Sequence, residues 1–519
     1  MTIRGSRKPS AWVSRCTLPA FLGLAVLLPA VPGMAREVPA QLPDPDGKPP
    51  VTDKPVKAYI LSGQSNMVGM GDISGGSSRW GTQFLDPVVS IYPGAYSPTA
   101  DYDKMAPIET KTLAAFGGVR PTPFPEGGTA VVRGFIRMES SGVYRLNAGY
   151  ANSTYNIMEV DGAEVYRRDV GKEAVQRDFT FAAGKKYPFK ITFLTEHANG
   201  LGWLRRMDIP GTLNTVARKD GKFPHLVDDQ GNWTVRNDVM YKGVISAVAQ
   251  GPLTVGLQGN TIGPELQFGH IMGYYHDEPV LVIKASIGNR SLGWDILPPG
   301  SERFTYDGRV YAGYKDTPSS WVEGQPKKKV NWYAGKQYDD YVKAIHGVLD
   351  NFGTLFPAYK DQGYEIAGFV WWQGHKDGNP AHASRYEQNL VNLIKAWRAE
   401  FKAPKAPFVI ATIGFGGWEM AGPHLTVANA QLAVSGERGK YPEFAGNVLT
   451  VETRGFWRDV SVSPSGQGYH YNRNAETYML VGDALGRAMV RLLGGRAEAP
   501  PQAAKPEPAA QQAGKETAQ

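Results

Sequence analysis

The residues able to do chemistry fall in four short blocks. Gly63-Gln64-Ser65-Asn66-Met67 follows directly on the apolar run at residues 56–61. A serine on a glycine turn that opens a helix keeps its backbone N–H free, so it can serve as nucleophile and oxyanion donor together. The same serine would also suit a plain helix N-cap. Ala285-Ser286-Ile287-Gly288-Asn289-Arg290 closes a second apolar run. Gly288 there is a candidate second oxyanion donor or an ordinary strand-end glycine. Trp371-Trp372-Gln373-Gly374-His375-Lys376-Asp377 is the third block. Gln373 could donate its amide to an oxyanion and Asp377 could orient a histidine. The paired tryptophans suit either a core or a sugar-stacking platform. Gly468-Tyr469-His470-Tyr471-Asn472 is the fourth. A serine nucleophile needs a base within hydrogen-bond reach. Of nine histidines, His470 lies on a late loop among small and polar neighbours, with His375, His382 and His424 as competitors.

For four distant blocks to cooperate, strand ends must meet at one edge. Residues 279–285, 366–372 and 408–413 read as buried strands, and residues 338–352, 386–401 and 474–493 as helices. Alternating strands and helices imply a parallel sheet covered on both faces, with its sites at the carboxyl ends of the strands. Between about residues 86 and 230 the texture changes. Residues 131–138, 144–150, 155–160 and 189–194 alternate, and Asp161-Gly162 is a hairpin signal. The expectation is an α/β fold: a doubly wound parallel sheet with a β-sandwich inserted after its first strand–turn unit. Its hydrolase parts span 56–85 and 238–495, and the sandwich spans 86–237.

The ends differ in kind. Residues 1–35 carry Arg4, Arg7, Lys8 and Arg15 but no acid, then an apolar run and a small-x-small site at Gly33-Met34-Ala35. They read as an export signal, too short in its apolar part for a comfortable membrane anchor. The expected location is a bacterial periplasm or the cell exterior. Residues 36–55 read as an extended linker and 496–519 as a disordered tail. The single cysteine, Cys16, lies in the export segment. The mature chain would then hold no disulfide, thiol nucleophile or thiolate metal site. The net charge of +7 is not clustered as nucleic-acid binding needs.

Together the four blocks resemble the SGNH hydrolase superfamily, specifically the sialate O-acetylesterase type of carbohydrate esterase. The likeness covers roughly residues 56–85 and 238–495. The nucleophile block Gly-Gln-Ser-Asn-Met agrees at all five positions. The third block, Trp-x-Gln-Gly-Glu-x-Asp, departs only at His375, where the family has glutamate. The resemblance implies Ser65 as nucleophile and His470 as base. It also implies an oxyanion hole of the Ser65 N–H, the Gly288 N–H and the Gln373 side chain. Trp372, Asn289 and Arg290 are candidate substrate contacts. The family's acid three residues before the histidine is Gln467 here. The expected triad acid is Asp377, which stands where the family also has an acid, with Asp459, Glu452 or neutral support of the histidine as alternatives. The inserted region resembles the protective-antigen type of β-sandwich, often associated with glycan binding.

The implied function is a carbohydrate O-acetylesterase acting on polysaccharide or sialic acid, with no cofactor. The rival is a non-catalytic glycan-binding protein that keeps an esterase fold but has lost the triad acid. A metal hydrolase is remote, because His-Glu-x-x-His is absent and the histidines lack ligand spacing.

Overall fold

A computed structural model describes residues 37–498 apart from 46, 48–49, 52, 80, 114–127, 148–154 and 195–201. The expected export segment at 1–35, and the tail from 499 onward, lie outside the described residues.

A seven-stranded sheet forms the frame of the site. Its order is Gln250–Thr254, Val235–Ile245, Val280–Ser286, Val56–Gly63, Tyr364–Trp372, Phe408–Ala411 and Val448–Val451. All neighbours run parallel except the first pair, which is antiparallel. The central strands are buried on both faces, as their mostly apolar runs require. One face packs Ala58, Ile60 and Ile283 against helices Lys336–Leu349, Pro380–Glu400 and Gly422–Ala433. The other packs Tyr59, Leu61 and Val282 against helices Glu265–Tyr275 and Ala475–Leu492. The fold is thus mixed α/β with a parallel sheet.

Two further sheets lie between Val56–Gly63 and Val235–Ile245 in the sequence, one of seven strands and one of four. They share one apolar cluster, in which Val132, Ile191 and Met158 of the larger sheet meet Leu146, Phe181 and Leu204 of the smaller. The hairpin at Asp161-Gly162 has φ of 51° and 77°, the geometry the Asp-Gly pair favours. The smaller sheet also takes in Ser77–Arg79, paired with Trp203–Arg206, nine residues earlier than the sequence boundary at 86 begins. Three polar residues there gave no strand signal.

The linker expected at 36–55 and the disordered tail expected at 496–519 are each corrected over their first residues. Glu37–Val38 pairs in parallel with Arg496–Ala497. Val38 and Leu42 are buried in the core that lines the closing helix. Two isolated apolar residues among Pro and Asp are too sparse to read as a strand. Among the described residues no helix is long and apolar enough to cross a membrane.

Candidate functional site

Register brings the blocks together. Gly63 pairs with Ser286 on one side and Trp372 on the other, so three strands end level. The chain passes from one side of Val56–Gly63 to the other between Ser286 and Tyr364, which makes this edge the switch point where parallel sheets hold ligands. Gly63 has no substitute here. A Cβ on it would stand 2.0 Å from the Trp372 carbonyl oxygen. The four-residue helix Ser65–Val68 follows at once.

Ser65 is nearly buried, and its Oγ has no hydrogen-bond partner among the described residues. As the first helical residue its N–H lacks an intrahelical acceptor. Gly288 lies close by, since a Cβ on it would stand 3.6 Å from Ser65 Cβ. Asn289 follows in the left-handed region, with φ of 58°. Tyr341 ties the two strand ends, its hydroxyl donating to the Gly63 carbonyl (2.9 Å) and accepting from the Ile287 N–H (3.1 Å).

Asn66 connects the serine loop to the histidine loop. Its Nδ2 donates to the Tyr469 carbonyl (3.2 Å), and its Oδ1 accepts from the Tyr478 hydroxyl (2.7 Å). That hydroxyl also stands 3.2 Å from the His470 carbonyl. His470 is half-buried, and its Nδ1 lies 3.3 Å from Gln467 Oε1. Burial, then the charge of Arg473 and then His375, push its pKa down to about 4. The imidazole is therefore neutral at pH 7, the form a base needs.

The three residues after His470 are held in the left-handed region, with φ of 51°, 53° and 59° at Tyr471, Asn472 and Arg473. Such residues cost on the order of 1 kcal/mol each or more, and persist only where neighbours fix them. Here each has an anchor. The buried Tyr471 ring packs on Trp372 and Phe415, and its hydroxyl accepts from the Gly414 N–H (2.9 Å). Asn472 Nδ2 donates to the Arg458 carbonyl, and Arg473 pairs with Asp72.

Several expected roles do not match the geometry. Asp377 does not reach His470. It is fully buried, and accepts from the Leu292 N–H (2.8 Å), the Gly293 N–H (2.7 Å) and Gln373 Nε2 (2.6 Å). Its nearest imidazole is that of His382, at 3.5 Å. Gln373 is buried too. Its Nε2 carries two hydrogens, yet three acceptors surround it: Asp377, the Arg290 carbonyl and Gln64 Oε1. It is committed to scaffold and has no spare N–H for an oxyanion. Trp372 is core, 1% exposed, with Nε1 donating to the Thr412 carbonyl. A buried indole cannot stack on a sugar. Asn289 is exposed and Arg290 partly so. The Arg290 guanidinium rests over Trp332 and donates to Gln337 Oε1. Glu452 is held by Arg454 and Thr412, and Asp459 accepts from Trp457 Nε1.

The sequence reading assigned no role to Gln64, Asn66, Tyr341 and Tyr478. Gln64 Oε1 accepts from the Gly374 and Lys376 N–H groups as well as from Gln373, closing the first block onto the third. The first two stand inside a block already singled out. The tyrosines sit on helices, where their apolar spacing hides their hydroxyls. Beside His470, Tyr469 is exposed and leans on His375, whose ring stacks on His424 at 5.4 Å. Among the described residues no group of three or more His, Cys, Asp or Glu side chains stands where a metal ion could be held.

No curated protein matches this chain. Solved structures that resemble it include a protein from Arabidopsis thaliana (16% identity, 50% of this chain and 82% of that one, TM-score 0.32). A carbohydrate acetylesterase from Xanthomonas citri shares 12% identity over 70% of this chain and 72% of its own, with a TM-score of 0.30. A carbohydrate esterase family 2 enzyme with a carbohydrate-binding domain, from Corynascus thermopiles, shares 11% over 78% of this chain and all of its own, with a TM-score of 0.26. One family model matches residues 240–490, the part that supplies Gly288, Gln373 and His470. Over those residues the chain is similar to the carbohydrate esterases of the sialic acid-specific acetylesterase family.

Proposed function

We propose that this protein is a carbohydrate O-acetylesterase that works through Ser65 and His470. The observation that carries the reading is the convergence at one sheet edge of an unpartnered serine hydroxyl, a free N–H at Ser65, Gly288 beside it and a neutral histidine loop tied on through Asn66. The family match over residues 240–490 supplies the class of substrate, an acetylated sugar.

In this reading Ser65 Oγ attacks the acetyl carbonyl carbon while His470 takes the hydroxyl proton. The Ser65 and Gly288 N–H groups receive the negative charge that grows on the carbonyl oxygen. One such donor is worth roughly 3 kcal/mol of barrier. The tetrahedral intermediate expels the sugar hydroxyl, which takes its proton from His470. Water, activated by the same imidazole, then releases acetate and restores Ser65. The scaffold fits the doubly wound SGNH arrangement, with residues 86–237 as an inserted β-sandwich that could wall a polysaccharide. Export to a periplasm or the cell exterior fits a polysaccharide substrate and the absence of cysteine after Cys16.

The test is acetate release from p-nitrophenyl acetate, acetylated xylan and acetylated sialic acid, with Ser65→Ala and His470→Ala alongside. Release by wild type and its loss in both variants supports the reading. Release that survives in Ser65→Ala sinks it.

A further inference from the structure

We propose that Gln467 is the positioning residue of His470, a neutral amide where a serine–histidine site ordinarily has an acid. The inference rests on the assignment of Ser65 and His470 as the reacting pair. The backbone builds the contact. The Gln467 carbonyl accepts from the His470 N–H (2.8 Å) and the Asn472 N–H (3.1 Å), closing a turn that lays residue 467 alongside the imidazole. Ser465 Oγ accepts from the Gln467 N–H (3.2 Å) and fixes where the turn begins. Gln467 Oε1 then lies 3.3 Å from His470 Nδ1.

Among the described residues no acid competes for that nitrogen. The charges that act on the ring are Arg473 and His375, both of which disfavour imidazolium. Arg473 is itself paired with Asp72, and His375 stacks on His424 next to exposed Lys376. Tyr469 packs against the ring at 4.5 Å, and the Tyr478 hydroxyl reaches only the His470 carbonyl. Asp377, Asp459 and Glu452 are each held by other donors.

The chemistry follows from what an amide oxygen can do. It accepts a hydrogen bond but carries no charge. Accepting from Nδ1–H fixes the tautomer that leaves the Nε2 lone pair for the serine proton. It does not stabilise imidazolium as a carboxylate would. Gln467 thus supplies the orienting part of a triad acid without the charge.

The experiment measures kcat and KM for p-nitrophenyl acetate across roughly pH 4 to 9 with wild type, Gln467→Ala and Gln467→Glu. Gln467 is exposed, so both variants should keep the fold, checked by thermal unfolding. Gln467→Ala should lower kcat about ten- to hundredfold with KM unchanged. Gln467→Glu should restore kcat and move the acid limb of the profile upward by about one pH unit or more. A merely structural contact would move neither the limb nor kcat alone. Unchanged kcat in Gln467→Ala, or an unmoved limb in Gln467→Glu, overturns the proposal while leaving the esterase intact. A wild type no more active than Ser65→Ala removes the Ser65–His470 assignment, and this proposal with it.

Discussion

The parallel-sheet edge and the antiparallel sheets between residues 77 and 206 spend most of their polar residues in opposite ways, with Asn156, buried in the antiparallel sheets, as an exception. At the edge, Gln64, Asn66, Gln373, Asp377 and Asn472 are all buried and bonded to one another or to backbone. In the antiparallel sheets the charged pairs lie at the surface, as with Arg145–Asp178 and Lys190–Glu159, over a core of apolar side chains. Buried polar groups cost stability unless every partner is supplied, so a protein gathers them where geometry must be held. The left-handed run after His470 stands on the same side of that division. One region is built to position groups and the other to pack.

That contrast can be broken by substitution. Ser65→Ala should show the largest effect, a fall in acetate release of at least about a thousandfold with the thermal unfolding midpoint almost unchanged. Next comes Asp377→Ala, which strands the Leu292 and Gly293 N–H groups. Each orphaned buried donor costs about 1–3 kcal/mol, so calorimetry should register a marked loss of stability, with activity falling as the edge loosens. If Asp377 were instead the triad acid, activity would collapse while the unfolding midpoint held. Ile191→Ala, in the core of the antiparallel sheets, should cost about 2–5 kcal/mol and leave kcat per folded molecule intact. Arg145→Ala should change stability by less than about 1 kcal/mol and activity not at all.

Acid sharpens the comparison further. His225 and His276 are largely buried, and burial first of all pushes each pKa down to about 4; buried His270 is lowered as well. None of the three belongs to the edge. A histidine whose folded pKa lies below its unfolded value of about 6.5 takes up its proton more readily when unfolded. Its contribution is complete above pH 6.5 and is lost as pH falls toward 4. The unfolding free energy should therefore drop steadily between pH 7 and pH 5, by up to about 2 kcal/mol per such histidine at pH 5, and the unfolding midpoint with it. A flat midpoint over that window would show that these histidines are solvated.

Much of the frame was legible because its signals are local and redundant. Residues 279–285 and 366–372 are long apolar runs, and strands formed there at Val280–Ser286 and Tyr364–Trp372. The helix Glu265–Tyr275 carries no such signal, because with nine of its eleven residues buried it has no polar stripe to reveal a helical period. At the site the blocks were visible, but the partners within them were not. Asp377 and Gln373 bond each other across one turn, a choice that depends on where Leu292 and Gly293 arrive from another element. Trp372 reads equally as core or platform until the Tyr471 ring is seen packed on it.

The most direct test of the account is to catch the acyl intermediate. Wild type is mixed with p-nitrophenyl acetate, quenched in acid within the first turnover, digested and mapped by mass spectrometry. The account predicts one acetyl group on the peptide containing Ser65, absent from Ser65→Ala and longer-lived in His470→Ala. Acetate released with no acetyl group on Ser65, or an acetyl group on another residue while Ser65→Ala remains active, would contradict it.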